Sequence, residues 1–203
     1  MLQTEIKGIT LEFETNEEVF SPSGIDKGTL AMLSQVEFTK EDKVLDLGCG
    51  YGVVGILASR LIGCENVVMC DISEKAVETS RKNGVWNGLD ELQVLVSDGL
   101  DSIEATGFTK ILSNPPYHVD FSVPKNFIEK GYKKLAMGGM MYMVTKRLDW
   151  YKNKLTTVFG GTKVLEIDGY YVFIAQKRER TQKTKEKKNQ MSKKLARKMA
   201  RKG

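Results

Sequence analysis

The chain has 203 residues, with 31 Lys or Arg, 26 Asp or Glu, one His, three Cys and a formal net charge of +5. That length holds one domain with a sizeable core, and no apolar run reaches the ~18 residues a membrane span requires. The opening Met1-Leu2-Gln3-Thr4-Glu5 lacks the basic-then-apolar pattern of a secretion signal, and a lone His without a Cys-x-x-Cys pair argues against a metal site.

Cys49, Cys64 and Cys70, odd in number and without paired spacing, are expected as free thiols in a reducing cytoplasm. The charge is unevenly placed. From Lys177 to Gly203 there are thirteen Lys/Arg and two Glu, which leaves 18 basic against 24 acidic residues in the rest of the chain. An acidic body with a strongly basic end points to a polyanionic partner, and the composition suits nucleic-acid phosphates.

In chain order, Ile6 to Phe13 alternates, placing Ile9, Leu11 and Phe13 on one face, as in a half-exposed strand or hairpin arm. A turn-rich loop from Val19 to Thr29 follows, in which Asp26 is placed to cap a helix carrying Leu30, Met32, Leu33 and Val36. Strands are expected at Lys43–Leu47, Val67–Asp71, Leu92–Val96, Lys110–Leu112 and Met140–Thr145, the first and fourth of them buried. Helices are expected after Gly55, from Ser73, over Lys125–Leu135 and over Leu148–Val158. Val164–Ile167 and Tyr170–Ala175 flank Asp168-Gly169 as an antiparallel pair. Strands alternating with helices imply an α/β fold with a mostly parallel sheet wrapped on both faces. In the tail, Met191, Leu195 and Met199 recur every fourth residue among lysines and arginines, the pattern of a basic amphipathic helix. The division expected is an N-terminal strand or hairpin extension (1–18), a catalytic body (19–177) and a basic tail (178–203).

Three strand ends carry polar signals in order. Gly48-Cys49-Gly50-Tyr51-Gly52 joins the first buried strand to a helix, where glycines let a ligand approach the backbone and the helix N-terminus. The dinucleotide fingerprint requires a sixth-position glycine where this chain has Val53, so the turn is closer to an S-adenosylmethionine loop. Asp71 closes the next strand, placed to accept both ribose hydroxyls, and Asp98 follows the third, placed near an adenine amine. Singly, each acid reads as a cap or turn residue; in this order they read as a cofactor site. The fourth strand runs into Ser113-Asn114-Pro115-Pro116-Tyr117-His118. Two prolines stiffen that loop. Asn114 and the Pro115 carbonyl supply acceptors and Tyr117 a flat face, a set that grips a planar amine by its hydrogens.

The glycine turn, Asp71, Asp98 and Asn114-Pro115-Pro116-Tyr117 together resemble a class I methyltransferase acting on a planar exocyclic nitrogen. Phe20-Ser21-x-x-Gly24-Ile25-Asp26-x-Gly28-Thr29 and His118 make the chain similar to the methyltransferase small domain family, which includes the RsmC-type ribosomal RNA guanine-N2 methyltransferases; the likeness runs from Val19 to Lys177. The resemblance implies a Rossmann-like seven-stranded sheet with a terminal antiparallel pair. It also implies S-adenosyl-L-methionine as cofactor. Gly48, Cys49 and Gly50 would lie on its methionine part, with Asp46 bracing the turn. Asp71 would hold the ribose, while Ile72, Asp98 and Gly99 border the adenine and Phe20 and Thr29 close the pocket. Asn114, the Pro115 carbonyl and Tyr117 would hold and stack the target base, with His118 touching substrate or capping the loop.

Two departures bear on the target. Larger members carry a preceding degenerate domain, which this sequence lacks. Tyr117 stands where guanine enzymes often have Phe, and Tyr is usual in adenine-N6 and glutamine-N5 enzymes. The expected activity is N-methylation of an RNA base amine, guanine N2 of ribosomal RNA first. Adenine-N6 methylation of RNA or DNA, protein glutamine-N5 methylation and a non-catalytic RNA-binding module are the alternatives. RNA is the expected partner through the basic tail, with no metal and no membrane.

Overall fold

The computed structural model describes residues 1–14, 24–116 and 120–179. Phe20, Tyr117, His118 and the tail from residue 180 onward, with its expected amphipathic helix, lie outside them. The strands are β1 (Leu2–Ile6), β2 (Ile9–Phe13), β3 (Val44–Leu47), β4 (Val67–Asp71), β5 (Gln93–Val96), β6 (Phe108–Ser113), β7 (Leu135–Thr145), β8 (Lys163–Ile167) and β9 (Tyr170–Gln176). The helices are α1 (Lys27–Leu33), α2 (Val53–Ile62), α3 (Glu74–Trp86), α4 (Ser122–Lys134) and α5 (Asp149–Phe159).

β3 to β9 form one seven-stranded sheet in the order β5-β4-β3-β6-β7-β9-β8. Pairing is parallel from β5 through β7 and antiparallel at β9 and β8, the Rossmann-like arrangement expected. Side chains alternate across the sheet, as a period of two requires. Val44, Tyr142 and Val144 join a core with β2, α1 and α2, whereas Leu45, Met141 and Met143 join one with α4 and α5. Both faces of the central strands are therefore covered, whereas the edge strand β5 leaves Leu95 and Val96 exposed, and the polar openings are left to the strand ends. The order reverses between β3 and β6, so a crevice opens at their carboxyl ends.

Two expectations change. Ile6 to Phe13 is not one arm but the bend and second arm of a hairpin, with Ile6 paired to Ile9. Lys7 and Gly8 both have positive φ (53° and 75°), the conformation of a tight turn that matches strand twist. Likewise β7 begins at Leu135 rather than Met140. Gly138-Gly139 forms a bulge inside the strand, where the register against β6 shifts between Phe108 and Lys110. A Cβ on Gly139 would sit 2.8 Å from the Phe108 carbonyl oxygen, so the close approach there requires glycine.

The hairpin is fastened to α3 by two amide side chains. Asn83 Oδ1 accepts from the Glu14 N–H at 2.7 Å, and its Nδ2 donates to the carbonyls of Glu14 (3.3 Å) and Tyr51 (2.8 Å). One turn on, Asn87 accepts from the Glu12 N–H (3.0 Å) and donates to the Glu12 carbonyl (2.7 Å). The two amides thus imitate the edge of a neighbouring strand for β2. Phe13 also meets the Tyr51 ring edge-on, centroids 5.5 Å apart. The hairpin consequently braces the loop that follows β3.

Candidate active site

The loop after β3 is built by backbone bonds that only its glycines permit. Gly48, Gly50 and Gly52 have φ of 77°, 56° and 101°, in the left-handed region that other residues rarely enter. The N–H groups of Gly48 and Cys49 both donate to the Cys70 carbonyl at 2.9 Å, clamping the turn to the end of β4. Asp46, buried under the turn, accepts from the Gly55 N–H at 2.8 Å, a carboxyl set at the first turn of α2. Burial pushes its pKa up to about 7; the Gly55 bond opposes that rise and the charge of Asp71 adds to it. Burial, then the charges of Asp46 and Asp71, also push the Cys49 thiol well up. That thiol is a packing surface here and not a nucleophile.

Asp71 bridges two loops. Its Oδ2 accepts from the Gly50 N–H and its Oδ1 from the Ser73 N–H, each at 2.9 Å. The carboxylate is thereby fixed in orientation while half-buried at the cavity edge, with lone pairs left over for hydroxyls. Ile72 lines the same edge and is 68% exposed, an apolar lip for a flat ring. Asp98 is exposed on the rim, and Gly99 lies against the Phe127 ring of α4.

The fourth strand end supplies the reacting side. Asn114 Nδ2 donates to Asp26 Oδ1 at 2.7 Å and to Thr29 Oγ1 at 3.0 Å. Both amide hydrogens are engaged in these two bonds, so the assignment of nitrogen and oxygen follows from the network. Asn114 Oδ1 is buried and has no hydrogen-bond partner among the described residues. A buried amide oxygen is ordinarily paired, so this one is an acceptor held ready for a ligand donor. Pro115 is buried beside it and Pro116 lines the cavity wall.

These elements enclose a cavity of about 400 Å³, within the range for small-molecule sites. It gathers Thr29, Asp46, Gly48, Cys49, Gly50, Asp71, Ile72, Asp98, Gly99 and Asn114. Four aspartates (Asp26, Asp46, Asp71, Asp98) and no Lys or Arg are among the described residues that line it. Among the described residues no His/Cys/Asp/Glu cluster could hold a metal ion, and no helix is long and apolar enough to cross a membrane.

Asp26, Val123 and Phe127 are among the cavity-lining residues that were not visible in the sequence as site residues. Asp26 does cap α1, accepting from the Thr29 N–H at 2.9 Å, but the same oxygen also holds Asn114 across 88 positions. Val123 and Phe127 close the far wall from α4; nothing in their helical pattern separates them from ordinary core residues.

The model of the methyltransferase small domain family matches residues 10–175. A ribosomal RNA small subunit methyltransferase C of Serratia proteamaculans is 33% identical over 165 residues, 79% of this chain and 47% of the relative. A ribosomal RNA large subunit methyltransferase G of Klebsiella pneumoniae is 29% identical over 187 residues, 88% of this chain and 50% of that protein. Among solved structures, the Thermus thermophilus 16S rRNA N2 G1207 methyltransferase (RsmC), in complex with AdoMet and guanosine, superposes with a TM-score of 0.79. It is 28% identical, over 87% of this chain and 50% of its own. A Pyrococcus furiosus methyltransferase at 17% identity and TM-score 0.71 shares the fold. The chain spans about half the length of the curated relatives it matches.

Proposed function

Because the chain belongs to the methyltransferase small domain family, we propose that it transfers a methyl group from S-adenosyl-L-methionine to an exocyclic amine of a ribosomal RNA base, guanine N2 first. The observation that carries this reading is the buried, unpartnered Asn114 Oδ1 at the cavity wall. The residues fit the cofactor. Asp71 offers a fixed carboxylate for ribose hydroxyls, Ile72 and Asp98 offer an apolar lip and an acceptor for adenine, and the glycine turn lets the methionine part lie on the backbone. The cofactor supplies an electrophilic methyl on a sulfonium.

An exocyclic base amine is a weak nucleophile because its lone pair is delocalised into the ring. Asn114 Oδ1 and the Pro115 carbonyl accept its two hydrogens, favour a pyramidal nitrogen and aim the lone pair at the methyl. Methyl transfer from the bound cofactor would leave it a neutral thioether, and the extra proton on the nitrogen would pass to solvent water. Catalysis is chiefly positioning and stabilisation of developing positive charge. Tyr117 stacks on a base swung out of its helix. The fold matches an enzyme solved with guanosine, which supports guanine over the other amines.

RNA is held by the tail of residues 178–203 and by Lys146 and Arg147, exposed directly after β7. Lys146 Nζ lies 4.9 Å over the Tyr170 ring and the Arg147 guanidinium 4.9 Å over the Phe121 ring. The Tyr170 ring packs against Gly28 of α1, where an added Cβ would come within 2.8 Å of it, next in sequence to Thr29 of the cavity wall. The free thiols Cys49, Cys64 and Cys70 agree with a cytoplasmic setting.

The test is nucleoside mass spectrometry of ribosomal RNA from cells with and without the gene, followed by in vitro methylation of the unmodified RNA. One methylated guanine should vanish and be restored by the enzyme. Asn114→Ala should lower the methylation rate by about 100-fold or more, the size expected for a lost transition-state partner, with cofactor affinity within about threefold. Normal methylation by that variant would sink the mechanism.

A further inference from the structure

Asp26 meets Asn114 in a way that a helix cap does not require. Its Oδ1 takes the Thr29 N–H at 2.9 Å and the Asn114 Nδ2–H at 2.7 Å, and Thr29 Oγ1 takes the other Asn114 hydrogen at 3.0 Å. An amide side chain has two faces of nearly equal shape, one accepting and one donating, and rotation by half a turn exchanges them. A carboxylate only accepts. Opposite Asp26, therefore, Asn114 can present only its NH2, and its oxygen is left on the other side of the amide, buried and without a partner among the described residues, in a residue that lines the cavity.

We infer that Asp26 is a positioning residue that fixes the polarity of Asn114 and so sets what the site will methylate. This deepens the proposed function and rests on it. With the oxygen locked outward, the site receives a substrate nitrogen that carries hydrogens. A base oxygen, or a ring nitrogen without hydrogen, meets a like-polarity acceptor that has no donor to offer. Sites built to satisfy a specific donor reject analogues lacking it strongly, because the buried partner is then stranded. Thr29 alone cannot enforce the choice, since a hydroxyl both donates and accepts.

The discriminating variant is Asp26→Ser. Serine caps helices as well as aspartate does, so α1 is retained, but its shorter side chain no longer reaches Asn114. The acceptor-only partner is lost, and Asn114 becomes free to turn its NH2 toward the substrate. On unmodified ribosomal RNA the expected result is a kcat lowered about 10- to 100-fold, with KM for cofactor and the melting temperature nearly unchanged. A role confined to the cap would leave kcat untouched.

A polarity swap provides the second measurement. Asn114→Asp alone sets two carboxylates against each other and should be poor. The double variant Asp26→Ser/Asn114→Asp removes that repulsion, and a carboxylate at the reacting position is an acceptor whichever way it turns. The double variant should exceed each single variant by about tenfold.

A readout independent of turnover comes from the free protein. The Asn114 side-chain amide resonances, identified by their loss in Asn114→Ala, should exchange slowly with water in the wild type and faster in Asp26→Ser. Wild-type kcat in Asp26→Ser, or a double variant no better than the poorer single one, would overturn the inference. If the wild-type enzyme methylates no RNA amine, it is instead the proposed function that fails.

Discussion

Replacing Asn83 by Ala tests whether the N-terminal hairpin is fastened to the cofactor-side loop. The substitution removes an acceptor for the Glu14 N–H and donors to the Glu14 and Tyr51 carbonyls. Glu14 is exposed, so water replaces its partners at little cost, whereas the bond to the Tyr51 carbonyl is buried. Stranding that carbonyl costs about 1–3 kcal/mol, and the space left by a fully buried amide adds about 1 kcal/mol. The expected loss is therefore about 2–4 kcal/mol, set against the ~5–15 kcal/mol that typically holds a domain. At ~2–4 °C per kcal/mol for a domain of this size, Tm should fall by roughly 5–15 °C. Urea and thermal melts measure this, and Asn83→Asp should not rescue it, because a carboxylate oxygen would then face the Tyr51 carbonyl. A loss below about 0.5 kcal/mol, within the range of ordinary surface substitutions, would refute the reasoning.

Asp46 gives a pH signature. An unfolded aspartate ionises near ~3.9, whereas burial keeps the folded carboxyl protonated up to about 7. The folded state thus binds more protons across that interval, and stability should fall as pH rises through it. Urea melts at several pH values should show this fall in the wild type and a flatter profile in Asp46→Asn; identical profiles would remove Asp46 as the cause. For the RNA surface, deleting residues 178–203, or the pair Lys146→Ala/Arg147→Ala, should weaken RNA binding and leave cofactor affinity intact. The slope of log affinity against log salt should flatten by about 0.7–0.9 for each phosphate that the variant no longer neutralises. Binding isotherms at several salt concentrations that match the wild type would exclude those residues from the interface.

Much of the scaffold was legible because its causes are local. The alternation of buried strands with helices announced the sheet, and Asp168-Gly169 between two apolar runs announced the closing hairpin of β8 and β9. Gly48-x-Gly50-x-Gly52, Asp71 and Asp98 sit where a strand ends, and the crevice gathers them. What stayed hidden depends on partners far along the chain or on geometry without a composition signal. Asn83 and Asn87 read as polar positions of an amphipathic helix, and their bonds to β2 span 69 and 75 positions. Lys7 takes a positive φ without the Asn or Asp that would advertise the turn. Asp26 shows one sequence signal for two duties, and the cap is the one that local spacing reveals.

The acidic lining of the cavity bears on how a catalytic cycle would end. Beside Asp46, which burial holds largely protonated, Asp26, Asp71 and Asp98 line it with no basic side chain among the described lining residues to balance them. Methyl transfer turns a positively charged sulfonium into an uncharged thioether. On the proposed chemistry, the wall attracts the fresh donor electrostatically and has less hold on the spent one, although their shapes differ by a single methyl group. Exchange of one for the other would then be driven by the charge the reaction itself removes.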